Sequence, residues 1–402
     1  MALLWLAPAA PSQEALRLSL AGAEAAEARH KAASTVGYYN IKLGPTGWRF
    51  GSALGLQYTD NVNLGSTGPQ SDLSFSPQVT AQMLWPVTEK NTLNFSVGVG
   101  YLAYLQRSEL DRIFVTPSSE LSYDLYIGDF WINLHDHFSV TQNAYQDPTV
   151  SGSANYALFQ NNLGETTTWD LDKLKLTLGY DHANYETISG QTSSQTLSAS
   201  ENVSASVAFA LPAGQAVGLE SSGTLAHLTS SNGGEVRQWS AGLFYRAPIS
   251  EYIDFKGSAG YTVYTVGAGG SLQTPLESSG LYGQLALTHN LSRFVDYSLS
   301  AARSLTYAYS GGAVELSTVA FGQNWKILRN ITIGTSFAYE HGKQAGFGTE
   351  TFDRYGAGIN LGRALTAKLS SSLGYQFYWR TSDLPGRNYT ANIFSLNLSY
   401  RF

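Results

Sequence analysis

The last eleven residues, 392–402, read NIFSLNLSYRF, and this stretch decides the fold. From Phe394 to Phe402 every second residue is Phe, Leu or Tyr, and the residues between them are Ser, Asn and Arg. A period of two is typical of a β-strand with one apolar and one polar face. Chain ends in soluble domains are commonly frayed. An end this regular predicts a firmly paired strand with one dry side and one wet side.

The same alternation recurs from Trp48 onward, for example in residues 48–58, 92–105 and 173–182. These runs last roughly 10 to 15 residues, whereas strands in soluble proteins average about 5 to 6. About 10 tilted residues cross a bilayer. The polar positions are mostly Gly, Ser, Thr, Asn and Gln, which suits a water-filled lumen. The pattern therefore predicts an all-β protein, a transmembrane antiparallel up-and-down β-barrel, rather than a soluble sandwich.

The amino-acid composition argues against several other classes of protein. Charged residues are only 13% of the chain, and aromatic residues reach 13%, including 25 Tyr, which favours a membrane wall over a soluble surface. The sequence has no Cys, so disulfides and thiolate metal sites are excluded. The net charge of -6 and the lack of a basic tract argue against nucleic-acid binding. No apolar run is long enough for a membrane-spanning helix, and no cofactor is expected.

Short turns alternate with longer connections rich in Gly, Ser and Asn, as in barrels with short periplasmic turns and long outer loops. The runs give about 18 strands with both ends in the periplasm. We assign residues 48–402 to the barrel. Residues 1–12 have a short apolar core and small residues, which indicates a signal-peptide remnant without its basic start. Residues 13–47, rich in Ala, Glu and Leu, are predicted to form a periplasmic helix and linker.

The closing strand is predicted to pair with the first strand near Trp48, because an open edge would expose unpaired backbone groups to lipid. Tyr400 and Phe402 lie on its apolar side. This ending resembles the carboxyl-terminal signal that the barrel-assembly machinery of Gram-negative outer membranes recognises. The predicted location is therefore the outer membrane of a Gram-negative-type bacterium.

Residues 55–105 resemble a family of outer-membrane β-barrel porins. In that family the first hairpin carries Tyr-x-Asp-Asn-hydrophobic, and then Ser-Asp with a downstream Ser-Pro. The matching residues here are Tyr58, Asp60, Asn61, Val62, Ser71, Asp72, Ser76 and Pro77. Some members are encoded with exopolysaccharide synthesis and export systems. The resemblance implies an outer-membrane location, a pore and a polysaccharide role, and it implies no catalytic residues.

Charged side chains at lumen-facing positions are the candidate pore-lining residues. Opposed charges across a pore would create a field that steers ionic or sugar solutes. The alternative is that these charges only solvate the ends of the wall. The candidates are the bases Arg49, Arg354, Lys368 and Arg380 near the seam, and the acids Glu120 and Asp124 on the fourth strand across the barrel.

Two groups of residues resemble metal sites, but hydrogen bonding and turn formation account for them better. His135 and His137 share a face about 7 Å apart along the strand, too far for a tight metal pair, which favours hydrogen-bonded lumen imidazoles. The first outer loop offers oxygen donors for Ca²⁺, but the spacing is not that of an EF-hand, and Asx residues are common in turns. These donors belong to Asp60, Asn61, Asn63 and Asp72. No metal site is predicted.

Asp136 breaks the pattern, since its parity points it toward lipid, where a midplane charge costs a few kcal/mol. Either a bulge shifts the register, or another subunit covers this side chain. The following strand, which contains Asn161, also lacks a clean apolar face. We therefore predict a homo-oligomer contact through the strands near Asp136 and Asn161.

Three functions compete. The leading one is a porin-like channel for small polar solutes or saccharides. The alternative is an accessory barrel of an exopolysaccharide export system, with residues 13–33 docked to a periplasmic partner. The third is an outer-membrane barrel enzyme. It is disfavoured because His227 and His341, near outer loops, show no Ser or Asp partner at a fixed spacing, so no catalytic residue is predicted.

Overall fold

The wall of the molecule is a closed antiparallel sheet. The computed structural model describes residues 39–141, 145, 147–152, 157–187, 196–229, 235–267, 276–307, 313–345 and 350–402. Within these residues the strands are β1 (Ile41–Leu43), β2 (Thr46–Thr59), β3 (Asp72–Pro86), β4 (Thr92–Tyr104), β5 (Arg112–Val115), β6 (Glu120–Ile127), β7 (Phe130–Thr141), β8 (Leu158–Leu171), β9 (Leu174–Thr187), β10 (Thr196–Ala210), β11 (Ala216–Thr229), β12 (Glu235–Ser250), β13 (Ile253–Val266), β14 (Leu276–His289), β15 (Val295–Tyr307), β16 (Ala313–Leu328), β17 (Ile331–Ala345), β18 (Thr351–Ala364), β19 (Leu369–Ser382) and β20 (Tyr389–Arg401).

The predicted fold class and strand number are confirmed. β5 and β6 are two pieces of one wall strand, since both pair with β4 and β7, and β1 pairs only with the start of β2. The described chain therefore contributes 18 wall strands, each paired with its sequence neighbours. The first begins at Thr46 rather than 48, so the end of the predicted linker is already strand. The predicted signal remnant and helix, in residues 1–38, lie outside the described residues.

β20 closes the barrel against β2, as the sequence predicts. Their pairing runs from Gly51 opposite Arg401 to Thr59 opposite Ile393. Beyond it, the backbone N–H of Phe402 donates to the carbonyl of Phe50 at 3.2 Å. Closure pairs the two edge strands with each other. A β-sheet in lipid must be closed in this way, because lipid cannot bond to the backbone groups of a free edge.

The two faces of the wall differ as a membrane barrel requires. Outward residues such as Leu281 and Leu373 are 69% and 56% exposed, while lumen-facing Asn202 and Thr262 are 4% and 2% exposed. Aromatic rings stack in rows near both ends of the outer face, for example Trp48 with Phe50, Phe130 with Trp169, and Tyr355 with Trp379. Within the described residues, no helix is long and apolar enough to cross a membrane.

Candidate functional site

Part of the connection between β7 and β8 lies inside the barrel. We call Tyr145 and residues 147–152, its described part, the inner segment. Arg354 Nη1 donates to the Tyr145 carbonyl at 2.7 Å, and Arg380 Nε donates to the Pro148 carbonyl at 3.2 Å. Arg354 is on β18, seven places from β7 around the wall. The segment therefore crosses the lumen, whereas the sequence pattern predicts one more long outer loop here.

An apolar cluster holds the inner segment against the seam. Val150 is fully buried and packs with Leu64, Tyr389 and Ala391. The Tyr145 ring packs on the same cluster, next to Tyr378, with ring centroids 5.9 Å apart. The Gly152 N–H donates to the Leu64 carbonyl at 2.9 Å. Apolar burial and backbone bonds thus fix the segment where β2 meets β20.

Arg354, a predicted pore-lining base, is an anchor of this segment. It is 5% exposed and forms an ion pair with Glu340, its direct cross-strand partner on β17. Its guanidinium lies 5.3 Å from the Tyr378 ring centroid. The charge is therefore neutralised in the wall, and it is not free to act on a solute.

Arg380 is the second anchor and is completely buried. Its Nη2 donates to Glu350 Oε1 at 2.8 Å, and its Nη1 donates to the Arg387 carbonyl at 2.7 Å. Arg387 also forms an ion pair with Glu350. The guanidinium stacks 4.3 Å from the Phe352 ring centroid. Both arginines thus have a buried carboxylate partner, which reduces the field that either could apply to a solute in the lumen.

The other two predicted bases lie near the seam at the end of the barrel that carries the short turns. Arg49 is on the lumen face of β2 and is half-buried. Lys368 is exposed in the turn before β19, where its carbonyl accepts the Arg401 N–H at 2.9 Å. It therefore precedes the wall strand β19, which begins at Leu369.

The predicted lumen histidines lie in one polar cluster across β6, β7 and β9. His135 Nε2 lies 2.8 Å from Asp181 Oδ1, and its Nδ1 lies 3.0 Å from Asn133 Oδ1. His137 Nε2 lies 3.3 Å from Glu120 Oε2, close enough for an ion pair but without hydrogen-bond geometry. The two imidazole centroids are 5.3 Å apart. The prediction of a hydrogen-bonded lumen imidazole is confirmed for His135.

Asp124, a predicted pore-lining acid, is also satisfied within the wall. It is 3% exposed and accepts bonds from Asn133 Nδ2 at 2.8 Å, Trp131 Nε1 at 3.0 Å and Thr92 Oγ1 at 3.4 Å. Asp181 was not predicted as a member of this cluster, although its parity already placed it on the polar face. Among the described residues, no group of three or more His, Cys, Asp or Glu side chains is arranged to hold a metal ion.

Neutral polar groups dominate the lumen face from β10 to β13. Glu220 is a charged exception there, 5% exposed, and accepts the Tyr282 hydroxyl at 2.8 Å. The Tyr282 side chain lies close against the backbone of two glycines: a Cβ at Gly260 would come within 2.5 Å of its ring, and a Cβ at Gly242 would come within 2.3 Å of its hydroxyl. Arg246 and Lys256 lie opposite each other on the same face, near the turn between β12 and β13. Hydroxyls and amides occupy many of the other positions. They belong to Ser200, Asn202, Ser204, Thr224, Gln238, Ser240 and Thr262.

The motif Asp60-Asn61 fastens the outer end of the seam. Asp60 Oδ1 accepts the Asn392 backbone N–H at 2.7 Å, and Asp60 Oδ2 accepts Asn392 Nδ2 at 2.5 Å. Asn61 Nδ2 donates to the carbonyls of Thr390 at 2.8 Å and Gly65 at 3.0 Å. These side-chain bonds continue the contact between β2 and β20 beyond the end of their ladder.

The remaining motif residues serve the first hairpin. Asp72 is 2% exposed, and its Oδ1 accepts the Leu73 N–H at 2.7 Å and the Gln106 N–H at 3.1 Å. Tyr58 is 42% exposed on the outer face, 6.4 Å from the Phe394 ring. Pro77 lies in β3 opposite Leu54. The motif therefore builds the wall and its closure.

His341, near the outer rim, has a partner that sequence spacing did not reveal. Its Nδ1 lies 2.9 Å from Asp353 Oδ1, which also accepts the Tyr339 hydroxyl at 2.7 Å. Ser317 is its cross-strand neighbour. Within the described residues the Ser317 hydroxyl makes no hydrogen bond to the imidazole, so a nucleophile–base pair is not assembled.

The chain is similar to solved outer-membrane porin structures. It matches Pseudomonas aeruginosa OccK2 (OpdF) in complex with glucuronate, with a TM-score of 0.52, 11% identity, and 88% of this chain and 98% of that chain covered. For P. aeruginosa OccK1 (OpdK) the values are 0.51, 12%, 88% and 98%. For a BenF-like porin from Pseudomonas fluorescens Pf-5 they are 0.50, 9%, 88% and 99%. No protein-family model matches the sequence, and a search among curated proteins finds no match.

This chain has the porin fold. At these identities the likeness establishes the architecture, and function must be inferred from the chain's own surfaces. The apolar outer face and the closed wall are those of an outer-membrane β-barrel, in agreement with the predicted location.

Proposed function

We propose that this barrel is a porin-like channel in the outer membrane of a Gram-negative-type bacterium. It passes small polar solutes and favours neutral, polyhydroxylated ones such as saccharides. The observation that carries the proposal is the chemistry of the lumen wall. Its middle is lined mainly by hydroxyls, amides and glycines, and Arg354, Arg380 and Asp124 are satisfied within the protein.

Barrel size and wall chemistry both support passage. Barrels of 16 to 18 strands enclose an aqueous channel. Hydroxyls and amides can exchange hydrogen bonds with water and with sugar hydroxyls, which suits an uncharged polar solute. The inner segment narrows this lumen on the side of the seam. These features fit a size-limited polar pathway.

Planar-bilayer recording and liposome swelling test the two parts of the proposal separately. Purified protein should give stable single-channel conductance, and a silent barrel would refute the channel. Proteoliposomes should swell faster in glucose than in glucuronate. Equal or faster uptake of the acid by a conducting protein would refute the preference for neutral solutes.

A matched pair of variants tests whether solutes and ions pass through the inside of the barrel. Thr318 faces the lumen from β16, and its neighbour Ser317 faces outward. Thr318→Asp should shift the reversal potential in a KCl gradient toward cation selectivity, because the new carboxylate lies beside the permeating ions. Ser317→Asp should leave the potential unchanged.

The alternative role as an exopolysaccharide-export accessory stays a prediction. The segment expected to dock a periplasmic partner, residues 13–33, lies outside the described residues.

A further inference from the structure

A band of polar side chains interrupts the apolar outer face on four consecutive strands. It comprises Asp136 on β7, Asn161 and Glu165 on β8, His182 on β9 and Glu201 on β10, and we call it the outer polar patch. Each member shares the parity of an exposed apolar neighbour. These neighbours are Leu134, Leu163, Leu178 and Val203, which are 42%, 55%, 60% and 55% exposed.

Asp136 points outward without any shift of register. β7 and β8 pair without interruption from Phe130 opposite Trp169 to Thr141 opposite Leu158, and Asp136 lies opposite Leu163. Of the two alternatives that the sequence leaves open, a bulge is therefore excluded. The remaining alternative is that something covers the side chain.

The patch reaches the middle of the wall. Asp136 lies near the centre of β7 (Phe130–Thr141), and Glu165 lies near the centre of β8 (Leu158–Leu171). Headgroups contact the ends of wall strands, so only hydrocarbon or another protein can contact their centres. On other described strands, leucines such as Leu243, Leu285 and Leu373 occupy comparable outer positions.

Some members of the patch bind each other, but Glu165 does not. Asn161 Nδ2 donates to Asp136 Oδ1 at 2.5 Å, and His182 Nδ1 lies 2.8 Å from Glu201 Oε1. Glu201 also accepts the Tyr180 hydroxyl at 2.6 Å. Glu165 is exposed and makes no hydrogen bond or ion pair to any residue in the described part of the chain. A carboxylate in this position needs a polar partner, and lipid tails supply none.

We propose that the outer polar patch is the interface between two copies of this chain in the membrane. A twofold axis along the membrane normal that passes between β8 and β9 would bring β8 of one copy opposite β9 of the other. His182 Nδ1 contacts Glu201 within its own copy, so its Nε2 would face the carboxylates of Asp136 and Glu165 of the other copy, and the contact would repeat in reverse. Each patch thus carries both the imidazole and the carboxylates that this contact joins, and that self-complementarity is the reason to choose a second copy as the occupant.

Disulfide trapping in native outer membranes tests the contact, because the sequence has no Cys. Leu163 lies between Asp136 and His182 in the ladder, at the centre of the patch. Leu373 on β19 is the matched control, since both leucines are outward-facing and are 55% and 56% exposed. On oxidation, Leu163→Cys should shift the main band from monomer to dimer, and Leu373→Cys should remain monomeric. A monomeric Leu163→Cys, or equal trapping at both sites, would overturn the proposal.

A second set of variants tests the chemistry of the contact. Adding Glu165→Gln and His182→Gln to Leu163→Cys should abolish the dimer band, because the cross-copy contact between imidazole and carboxylate is lost. Glu186→Gln, an exposed glutamate on β9 near the outer rim, should leave the band intact. Heat-modifiable migration confirms that each barrel is folded.

Two further results would contradict this proposal. One is a dimer band that persists in the folded Glu165→Gln/His182→Gln protein. The other is a trapped product whose second component, identified by mass spectrometry, is a different protein.

Discussion

The inner segment should leave the lumen wall when Arg354 and Glu340 are replaced together. Arg354 Nη1 donates to the Tyr145 carbonyl at 2.7 Å, and Glu340 is the partner that neutralises the buried guanidinium. Changing Arg354 alone would also leave a carboxylate that is only 12% exposed without its partner, a separate cost of about 3–5 kcal/mol. The double change Arg354→Gln/Glu340→Gln removes both charges and isolates the lost bond to the segment.

The size of the effect follows from that bond. A hydrogen bond from a charged donor contributes about 1.5–3 kcal/mol. Its loss should raise the ratio of undocked to docked segment by about 10-fold to 150-fold, since each 1.4 kcal/mol is a factor of ten. The apolar packing of Val150 and the Arg380–Pro148 bond remain, so the docked state should still predominate.

Thiol labelling of Ser151→Cys measures this ratio. The Ser151 hydroxyl is buried and has no hydrogen-bond partner in the described structure, so a thiol there breaks no contact. The chain has no other Cys. A charged maleimide reaches the buried thiol only when the segment undocks, so the labelling rate reports the undocked fraction.

The double variant should label about 10-fold to 150-fold faster than Ser151→Cys alone. Arg363→Gln, the same substitution at an exposed position of β18, is the matched control and should label at the parent rate. A double variant that labels within about twofold of the parent would refute the anchoring role of Arg354.

Three further predictions concern pH, the seam and assembly. Burial raises the pKa of the Asp147 carboxyl, so the docked segment favours its protonated form. Docking should be strongest below the ordinary carboxyl pKa of about 4, and it should weaken as the pH rises through the raised pKa of Asp147. Undocking should appear as increased open-channel noise, and Asp147→Asn should abolish this pH dependence. Asn61→Ala removes the bonds to Thr390 and Gly65 and should lower barrel stability by about 1–3 kcal/mol in heat-modifiability gels. Asn63→Ala, which loses bonds only within the first outer loop, should have a smaller effect. Phe402→Ser should reduce the amount of barrel assembled in the outer membrane, measured by immunoblotting, while protein refolded in detergent stays folded.

The barrel wall was predictable because the faces of each strand depend only on the residues of that strand. Each strand needs one apolar and one polar face, and that requirement appears directly as a period of two. The parity of residues 392–402 therefore indicated the correct faces of β20, and its pairing with β2 followed from the need to close the sheet. The strand number followed from counting the same signal.

The contents of the lumen were not predictable in the same way. The inner segment is held by arginines that bind backbone carbonyls. Every residue has a backbone carbonyl, so the sequence does not indicate which ones an arginine binds. The Gly, Ser and Pro of that connection are shared with ordinary outer loops. The ion pair of Arg354 with Glu340 depends on the exact register of β17 and β18, and a shift of one residue would turn a side chain to the other face. Asp181 contacts His135 across two strand steps, beyond the reach of a hairpin pattern.

Cysteine accessibility along β20 tests the central claim most directly, namely that the apolar face meets lipid and the polar face encloses water. Single Cys variants in the Cys-free chain are reconstituted in liposomes and treated with a charged, membrane-impermeant maleimide. Positions 395, 397 and 399 should label, and positions 394, 396 and 398 should stay protected. Equal labelling of both sets, or labelling of the apolar set alone, would contradict the assignment of the two faces and with it the proposed channel.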